Sequence, residues 1–202
     1  MQLLTVYPGS INRRHIEAAA EAMRQGHLII FPTDSVYAIG CDALNQRAIE
    51  RLCRAKGLNP DKNLLSILCA DISQAAEYAR IDNKAFRYLK EYLPGAYTFI
   101  LPASTRLPKV FKGRKTVGVR VPDNAIARAI AEELGNPVLT SSVDIADPDE
   151  MRDPEAVAMH YANTAALAID GGDGGNIPST IVDLTDTDNP EIVRQGAATF
   201  NE

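Results

Sequence analysis

The sequence has no tryptophan, only three cysteines and three histidines, and aromatic residues make up 6% of the chain. The histidines are scattered, with no cysteine or carboxylate at ligand spacing, so a metal held by side chains alone is not indicated. Any metal is expected to arrive with a ligand. The cysteines, Cys41, Cys53 and Cys69, form no C-x-x-C pair and stand among apolar neighbours. That pattern is typical of reduced core cysteines and indicates neither disulfides nor zinc.

Long apolar runs are also missing, since no segment approaches the roughly 20 apolar residues that a membrane-spanning helix needs. The N-terminal residues MQLLTVYPGS show no basic stretch followed by a long apolar run and a small-residue cleavage site. They therefore do not have the pattern of a signal peptide. We expect a cytoplasmic protein without a membrane segment.

An excess of positive charge is absent as well, because the net charge is -5 at pH 7. This argues against a protein that coats nucleic acid over its whole surface. The average conceals an asymmetry: residues 1–122 hold 18 basic and 10 acidic side chains, whereas residues 123–202 hold 3 basic and 16 acidic ones. The longest basic segment without an acid runs from Tyr92 to Pro122, and its cations are Arg106, Lys109, Lys112, Arg114, Lys115 and Arg120. It is interpreted either as a solvated loop or as a phosphate-facing rim.

The 202 residues predict one domain, 1–202, with a core of its own. Periodicity and stop residues predict helices near 12–26, 45–57, 73–78, 83–92, 124–135 and 154–161. Apolar runs predict strands near 27–31, 64–68, 97–101, 116–121, 137–142, 167–170, 180–184 and 191–194. The segment PTDSVYAIG is interpreted as a strand-to-loop transition after the first strand, and Asp144–Pro154 as the best candidate for a mobile loop. Interleaved elements without a strict βαβ rhythm favour an α/β fold with a mixed sheet and flanking helices.

Common phosphate-binding and hydrolase motifs are missing. There is no G-x-x-x-x-G-K-[ST] loop and no G-x-S-x-G elbow, and Gly171–Gly175 lacks the spacing of a dinucleotide fingerprint, so this loop is interpreted as flexible. Polar residues instead follow apolar strands, where an α/β sheet normally opens its ligand crevice. Five such segments stand out: Thr33–Tyr37, Lys56–Asn63, Gly118–Pro122, Thr140–Asp144 and Pro178–Thr180.

Several short motifs occur in a recognisable order: PTDSVYAIGCDA, PGAYTFIL, VGVRVPD, PVLTSS, PSTIVDLT and IVRQG. Together they resemble the YrdC-like superfamily, which includes threonylcarbamoyl-adenylate synthases, over nearly the whole chain. The resemblance implies a YrdC/RibB-like fold, a twisted sheet curved around a large, positively charged cavity. It also implies binding of ATP with Mg²⁺, L-threonine and bicarbonate, to form threonylcarbamoyl-AMP for tRNA modification.

The resemblance assigns amino-acid binding to Ser35, Arg120, Ser179 and Thr180. Arg120 would hold the substrate carboxylate, because a planar guanidinium can bind both oxygens. The alternative for Arg120 is a strand arginine paired with a surface acid. The alternative for Ser179 and Thr180 is that they satisfy backbone groups where a strand begins. Tyr37 and Tyr97 are interpreted as core or cavity-wall residues.

The same resemblance assigns nucleotide contacts to Lys56, Asn63, Ser142 and Arg194. Lys62 could add charge to this group, since the loop at 59–63 is longer than the superfamily pattern. No catalytic residue is assigned, because attack of a carbamate on the α-phosphorus needs positive charge and aligned reactants rather than a covalent nucleophile.

Two departures set this sequence apart from the synthase pattern. Leu58 stands where K-x-R has arginine, and Asp144 stands where S-x-N has asparagine. They resemble the YciO branch of the superfamily. Two hypotheses therefore remain open: a synthase of threonylcarbamoyl-AMP or a related adenylate, and a noncatalytic module that binds RNA, tRNA or nucleotide through the same concavity.

Overall fold

The structure, a computed structural model, describes residues 1–111, 113 and 115–201. The strands are β1 Gln2–Thr5, β2 Ile29–Phe31, β3 Ala38–Asp42, β4 Ser66–Leu68, β5 Tyr97–Pro102, β6 Thr116–Arg120, β7 Val138–Ser142, β8 Leu167–Asp170, β9 Thr180–Asp183 and β10 Glu191–Arg194. The helices are α1 Arg13–Arg24, α2 Gln46–Lys56, α3 Ile72–Tyr78, α4 Asn83–Tyr92, α5 Ala125–Leu134, α6 Pro148–Arg152 and α7 Pro154–His160, with a 3-10 turn at Lys109–Phe111.

All ten strands join one sheet in the order β1-β8-β2-β3-β7-β4-β6-β5-β9-β10. The pairs β1/β8, β2/β8, β4/β6 and β5/β9 are parallel, and the other five neighbouring pairs are antiparallel. This confirms the predicted mixed sheet with flanking helices. Order along the sheet differs strongly from order along the chain, so residues far apart in sequence meet at its centre.

The sheet buries apolar side chains on both faces because successive strand residues point to opposite sides. On one face, α1 and α5 pack over Ile29, Phe31, Leu68 and Val138. A larger core lies on the other face, where α2, α3, α4 and α7 supply buried side chains next to those of the strands.

Helix ends follow from local sequence signals. The Asn45 side chain accepts a hydrogen bond from the Ala48 N–H at 3.1 Å, which satisfies one of the free N–H groups that begin α2. Gly57 ends α2 in the left-handed conformation, with φ 62°. Asn124 and Gly135 cap α5 in the same way. These signals were read correctly from the sequence, and they place Lys56 at the C-terminus of α2.

Three predictions about loops and strands were wrong. PTDSVYAIG is not only a loop, because Ala38–Asp42 forms β3, which is buried and pairs with β2 and β7. Residues 144–154 contain α6, and Ile145 anchors this segment in the larger core. The sequence reading also missed β1, an edge strand whose mostly exposed residues carry no burial pattern but pair with β8.

Gly118 is a position where a side chain cannot fit. It lies in β6 opposite Ser66 of β4, and a Cβ atom here would lie 2.4 Å from Ser66 Oγ and 2.9 Å from Thr98 Cγ2. Both contacts are too short for real atoms, so a side chain here would force the side chains of Ser66 and Thr98 to move. The glycine therefore keeps space open at the centre of the sheet.

We predict that Gly118→Ala lowers the free energy of unfolding by about 1–3 kcal/mol, the usual cost of overpacking. Gly9→Ala is the matched control, because nothing lies within 4 Å of a Cβ at Gly9. It should change stability by less than about 0.5 kcal/mol. Urea unfolding followed by circular dichroism measures both. Equal effects of the two substitutions would show that Gly118 is not sterically constrained.

Candidate functional site

A cavity of about 240 Å³ lies at the centre of the sheet. Register places Gly118 opposite Ser66, and Ser66 opposite Thr140, so these residues share one face. The lining combines two arginines, six hydroxyl side chains and six aliphatic ones: Arg120, Arg194, Ser66, Thr98, Thr140, Ser141, Ser142, Ser179, Leu52, Leu58, Leu64, Leu65, Leu139 and Ile181. Within the described residues, no carboxylate and no aromatic ring belongs to this lining.

Arg120, the last residue of β6, carries the central charge of the cavity. Its Nη2 donates to Asp34 Oδ1 at 3.0 Å and to Ser35 Oγ at 3.1 Å. The side chains of Arg120 and Asp34 are only 6% and 9% exposed, so the ion pair is buried. The second Asp34 oxygen accepts the Asp123 N–H at 2.7 Å. Asp34 thus fixes the guanidinium and ties the loop after β2 to the segment after β6.

One donor of Arg120 remains unused. The Nε atom is buried and has no hydrogen-bond partner among the described residues. A buried donor without a partner is costly, and such groups are rare unless a ligand or water satisfies them. Burial lowers the pKa of Arg120 below its ordinary value, while the charge of Asp34 opposes that shift. An anion that reached this guanidinium would stabilise its charged form.

Arg194 supplies the second cation from β10. Its Nε and Nη2 both donate to the Ser179 carbonyl, at 3.2 and 2.7 Å. Burial lowers the pKa of Arg194, and the proximity of Arg194 contributes to the lowered pKa of Arg120. The cavity therefore holds two guanidinium groups that affect each other, and Asp34 pairs with one of them. This arrangement attracts anions.

Ser179 and Thr180 are neighbours in sequence but have different surroundings. Ser179 lines the cavity, and its Oγ lies 2.9 Å from Thr98 Oγ1. Thr180 is fully buried: its hydroxyl donates to the Ala198 carbonyl and accepts the Gly196 N–H at 2.9 Å. Thr180 thus satisfies backbone groups of the C-terminal segment, the alternative that the sequence left open, whereas Ser179 faces the cavity with Thr98.

Lys56 lies beside Tyr161 rather than in the cavity lining. Its Nζ is 3.5 Å from the Tyr161 hydroxyl and 5.9 Å from the centre of the ring, a cation–π distance. The same hydroxyl accepts the Asp144 N–H at 2.8 Å. Tyr161 thereby links the end of α2 to the segment after β7. The sequence reading did not single out Tyr161, since nothing but three-dimensional contact connects it with these residues.

The other residues that the resemblance assigns to the nucleotide differ in whether they line the cavity. Ser142 ends β7 and lines the cavity, and its contact with a nucleotide stays a prediction. Asn63 is exposed, and its Oδ1 accepts the Asn59 N–H at 2.7 Å, which closes the 59–63 loop. Lys62 is exposed on the same loop. Neither Asn63 nor Lys62 lines the cavity.

The two departures from the synthase pattern are also separated in space. Leu58 is half-buried, packs against the larger core and lines the cavity. Asp144 is exposed and does not belong to the lining. The change at residue 58 therefore alters the cavity itself, while Asp144 adds negative charge only outside it.

Most of the basic segment lies away from the cavity. Lys115 precedes β6 and Arg120 ends it, so the two lie at opposite ends of that strand. Lys115 lines a different crevice together with Arg80, and Arg106 pairs with Glu77. Lys112 and Arg114 lie outside the described residues. Within the part of the chain that the structure describes, Arg120 is the only cation of this segment in the lining.

The glycine-rich loop after β8 is tied to Tyr37 and lies against the backbone of Ser35. The Tyr37 hydroxyl donates to the Gly172 carbonyl at 2.7 Å and accepts the Gly171 N–H at 3.1 Å. A Cβ at Gly175 would lie 2.1 Å from the Ser35 carbonyl oxygen. Glycine is required here because the loop backbone lies directly against the segment that presents Ser35 to Arg120. The sequence reading missed this role because that contact spans 140 residues.

The search for metal-binding groups gave no candidate: among the described residues, no three His, Cys, Asp or Glu side chains are grouped so as to hold a metal ion. In the same part of the chain, no helix combines the length and apolar character needed to cross a membrane.

Taken together, the fold and the cavity define an α/β protein whose mixed sheet carries a small, guanidinium-lined cavity at its centre. The chain belongs to the Sua5/YciO/YrdC family, whose sequence model, described as "Telomere recombination", matches residues 21–196.

Known relatives extend this similarity along the whole chain. The chain is 40% identical to the protein YciO of Escherichia coli over 96% of its own length and 95% of that protein. The crystal structure of E. coli YciO has a TM-score of 0.90 and covers 98% of this chain and 97% of that one.

Synthases are more distant relatives. The chain is 34% identical to the threonylcarbamoyl-AMP synthase of Bacillus subtilis over 94% of its own length but only 56% of the synthase. The crystal structure of P. abyssi Sua5 complexed with L-threonine has a TM-score of 0.87 at 33% identity, covering 97% of this chain and 58% of that one. Each of these two relatives thus has a large part with no counterpart here.

We predict that Asp34→Asn lowers the free energy of unfolding by about 3–5 kcal/mol, because it leaves a buried guanidinium without a counter-charge. Glu77→Gln is the control, since Glu77 forms an exposed ion pair with Arg106. Loss of an exposed pair should cost only about 0–1 kcal/mol. Urea unfolding measures both. A cost for Asp34→Asn as small as that of the control would contradict a structural role for the buried pair.

Proposed function

We propose that this protein forms threonylcarbamoyl-AMP from ATP, L-threonine and bicarbonate, with release of pyrophosphate. The observation that carries the proposal is Arg120, a buried guanidinium in the cavity lining with an unpartnered Nε. A guanidinium in this state suits a substrate carboxylate, and threonine carries one. Similarity to synthases, and to a Sua5 structure that contains L-threonine, supports the choice of reaction.

The reaction sets requirements that the site can be compared with. The threonine amine combines with bicarbonate to give a carbamate and water. A carbamate oxygen then attacks the α-phosphorus of ATP, the bond to the bridging oxygen breaks, and pyrophosphate leaves with Mg²⁺. Positive charge and fixed orientation accelerate such a step, and no covalent nucleophile is needed. In the proposal, ATP with Mg²⁺ is a substrate and the protein contributes binding and alignment.

The residues divide between the two substrates. Arg120 binds the threonine carboxylate, held in place by Asp34 and Ser35. The paired hydroxyls of Ser179 and Thr98 contact the amino acid. Arg194 and Ser142, also in the lining, face the phosphates. Lys56, with Lys62 and Asn63 outside the enclosed cavity, completes the nucleotide contacts where the cavity opens.

A second function is favoured by one observation, the aliphatic side chain of Leu58 in the lining. At this position the synthase pattern has an arginine, whose forked cation can bind phosphate, so the leucine gives phosphate binding less support. The alternative is a noncatalytic protein that binds RNA, tRNA or a nucleotide through the same concavity. Such binding would weaken steeply with salt, because neutralised phosphates release counterions.

We predict that the purified protein, given ATP, Mg²⁺, L-threonine and bicarbonate, releases pyrophosphate and forms threonylcarbamoyl-AMP. Arg120→Lys should lower kcat/KM for threonine roughly 10- to 150-fold, the equivalent of about 1.5–3 kcal/mol for a hydrogen bond to a charged group. Lysine retains the charge opposite Asp34 but loses the planar fork, so the variant is expected to fold. Pyrophosphate release and chromatography of the adenylate measure the effect.

Arg106→Lys is the matched control, because Arg106 lies in an exposed ion pair outside the cavity. It should leave turnover unchanged. Absence of product at saturating substrates would reject the synthase. If the same preparation then bound RNA in a salt-sensitive manner, the noncatalytic alternative would replace it.

A further inference from the structure

The lining of the cavity does not match the base of a nucleotide. No aromatic ring belongs to its lining among the described residues, so a purine base would find no stacking partner inside. Its volume of about 240 Å³ lies below the roughly 300–1,000 Å³ of typical small-molecule pockets. The part of a ligand that lies inside this cavity is therefore comparable to a single amino acid in size, and any larger part would extend out of it.

The aliphatic residues are unevenly accessible. Leu52, Leu65 and Leu139 are buried, whereas Leu58, Leu64 and Ile181 are half-buried and can contact a ligand directly. Leu58 and Leu64 flank the loop between α2 and β4, and Ile181 lies in β9. The polar floor comes from the strands and carries Thr98, Thr140 and Ser66.

The charges of the lining indicate which chemical group the polar end of the ligand carries. Both ionised side chains are guanidinium groups, and Arg120 carries the buried Nε that no described residue satisfies. A carboxylate complements these cations. The cavity thus offers a cationic, hydroxyl-rich region together with an aliphatic region, which matches a molecule that has one carboxylate and one hydrocarbon chain.

We propose that the amino-acid site of this protein also accepts aliphatic L-amino acids larger than threonine and binds them more tightly than threonine, with the carboxylate at Arg120 and the side chain against Leu58 and Leu64. The inference rests on the proposed function for the position of the carboxylate and deepens it by naming the class of amino acid. Each methylene removed from water strengthens binding about 4-fold, the equivalent of about 0.8 kcal/mol. The four-carbon side chain of norleucine brings more hydrocarbon to the aliphatic region than the side chain of threonine, which has two carbons and a hydroxyl.

Isothermal titration calorimetry without ATP tests this directly. The ligands are L-alanine, L-2-aminobutyrate, L-norvaline, L-norleucine and L-threonine, with L-norleucinol as the analogue that lacks the carboxylate. We expect the dissociation constant to fall about 4-fold per methylene up to norleucine. Norleucine should bind at least 10-fold more tightly than threonine, and norleucinol should bind at least 10-fold more weakly than norleucine.

Two variants test whether the dependence of binding on chain length arises at Leu58. Leu58→Asn keeps the branched shape and the number of heavy atoms but replaces the hydrocarbon with an amide, so it should remove most of the dependence on chain length. Leu44→Asn is the same substitution at an exposed leucine outside the cavity lining, and it should leave the series unchanged. Thermal unfolding of both variants confirms that they fold.

Four outcomes would overturn the inference. They are a dissociation constant that does not depend on chain length, threonine binding as tightly as norleucine, norleucinol binding as tightly as norleucine, and no binding of any of these ligands. These outcomes differ from failure of the proposed reaction. If threonine is turned over but the dissociation constants do not depend on chain length, only the aliphatic preference is contradicted. Chain-length-dependent binding without pyrophosphate release contradicts only the reaction.

Discussion

A guanidinium buried at the centre of a sheet needs a counter-charge, and in this protein Asp34 supplies it. The pair joins the loop after β2 to the end of β6, two segments separated by 86 residues. Because Asp34 also accepts the Asp123 N–H, the path of the chain toward α5 depends on the same carboxylate. The cation in the cavity and the closure of the fold around it are thus consequences of one interaction.

The rest of the site follows from this pair through packing. Ser35 can reach Arg120 because the glycine-rich loop lies against its backbone, and Tyr37 holds that loop through two hydrogen bonds. The absence of a side chain at Gly118 leaves room next to Ser66 and Thr98. Two glycines in distant parts of the sequence therefore shape the surroundings of the buried arginine: Gly118 leaves room in the sheet, and Gly175 lets a loop lie against Ser35.

The difference from the synthase pattern is confined to a particular part of this space. Leu58 brings hydrocarbon into the lining, while Asp144 remains outside, where the Tyr161 hydroxyl accepts its backbone N–H. Lys56 lies beside the same tyrosine ring. The end of the site around Arg120 is cationic, and the wall next to α2 is where this chain departs from the synthase pattern. Specificity within a shared fold depends on such local changes in a site.

The sequence by itself determined the helices with clear caps, the strands with apolar runs, the mixed sheet and the five polar segments, each of which contributes to the cavity or its support. These features depend on local signals, such as Asn45 and Gly57 at the ends of α2. Only the tertiary structure decided that Arg120 pairs with Asp34, that Thr180 turns away from the cavity while Ser179 faces it, and that Tyr161 contacts Lys56. Strand order, register and the direction of a side chain arise from contacts between distant segments, and no local pattern of residues encodes them.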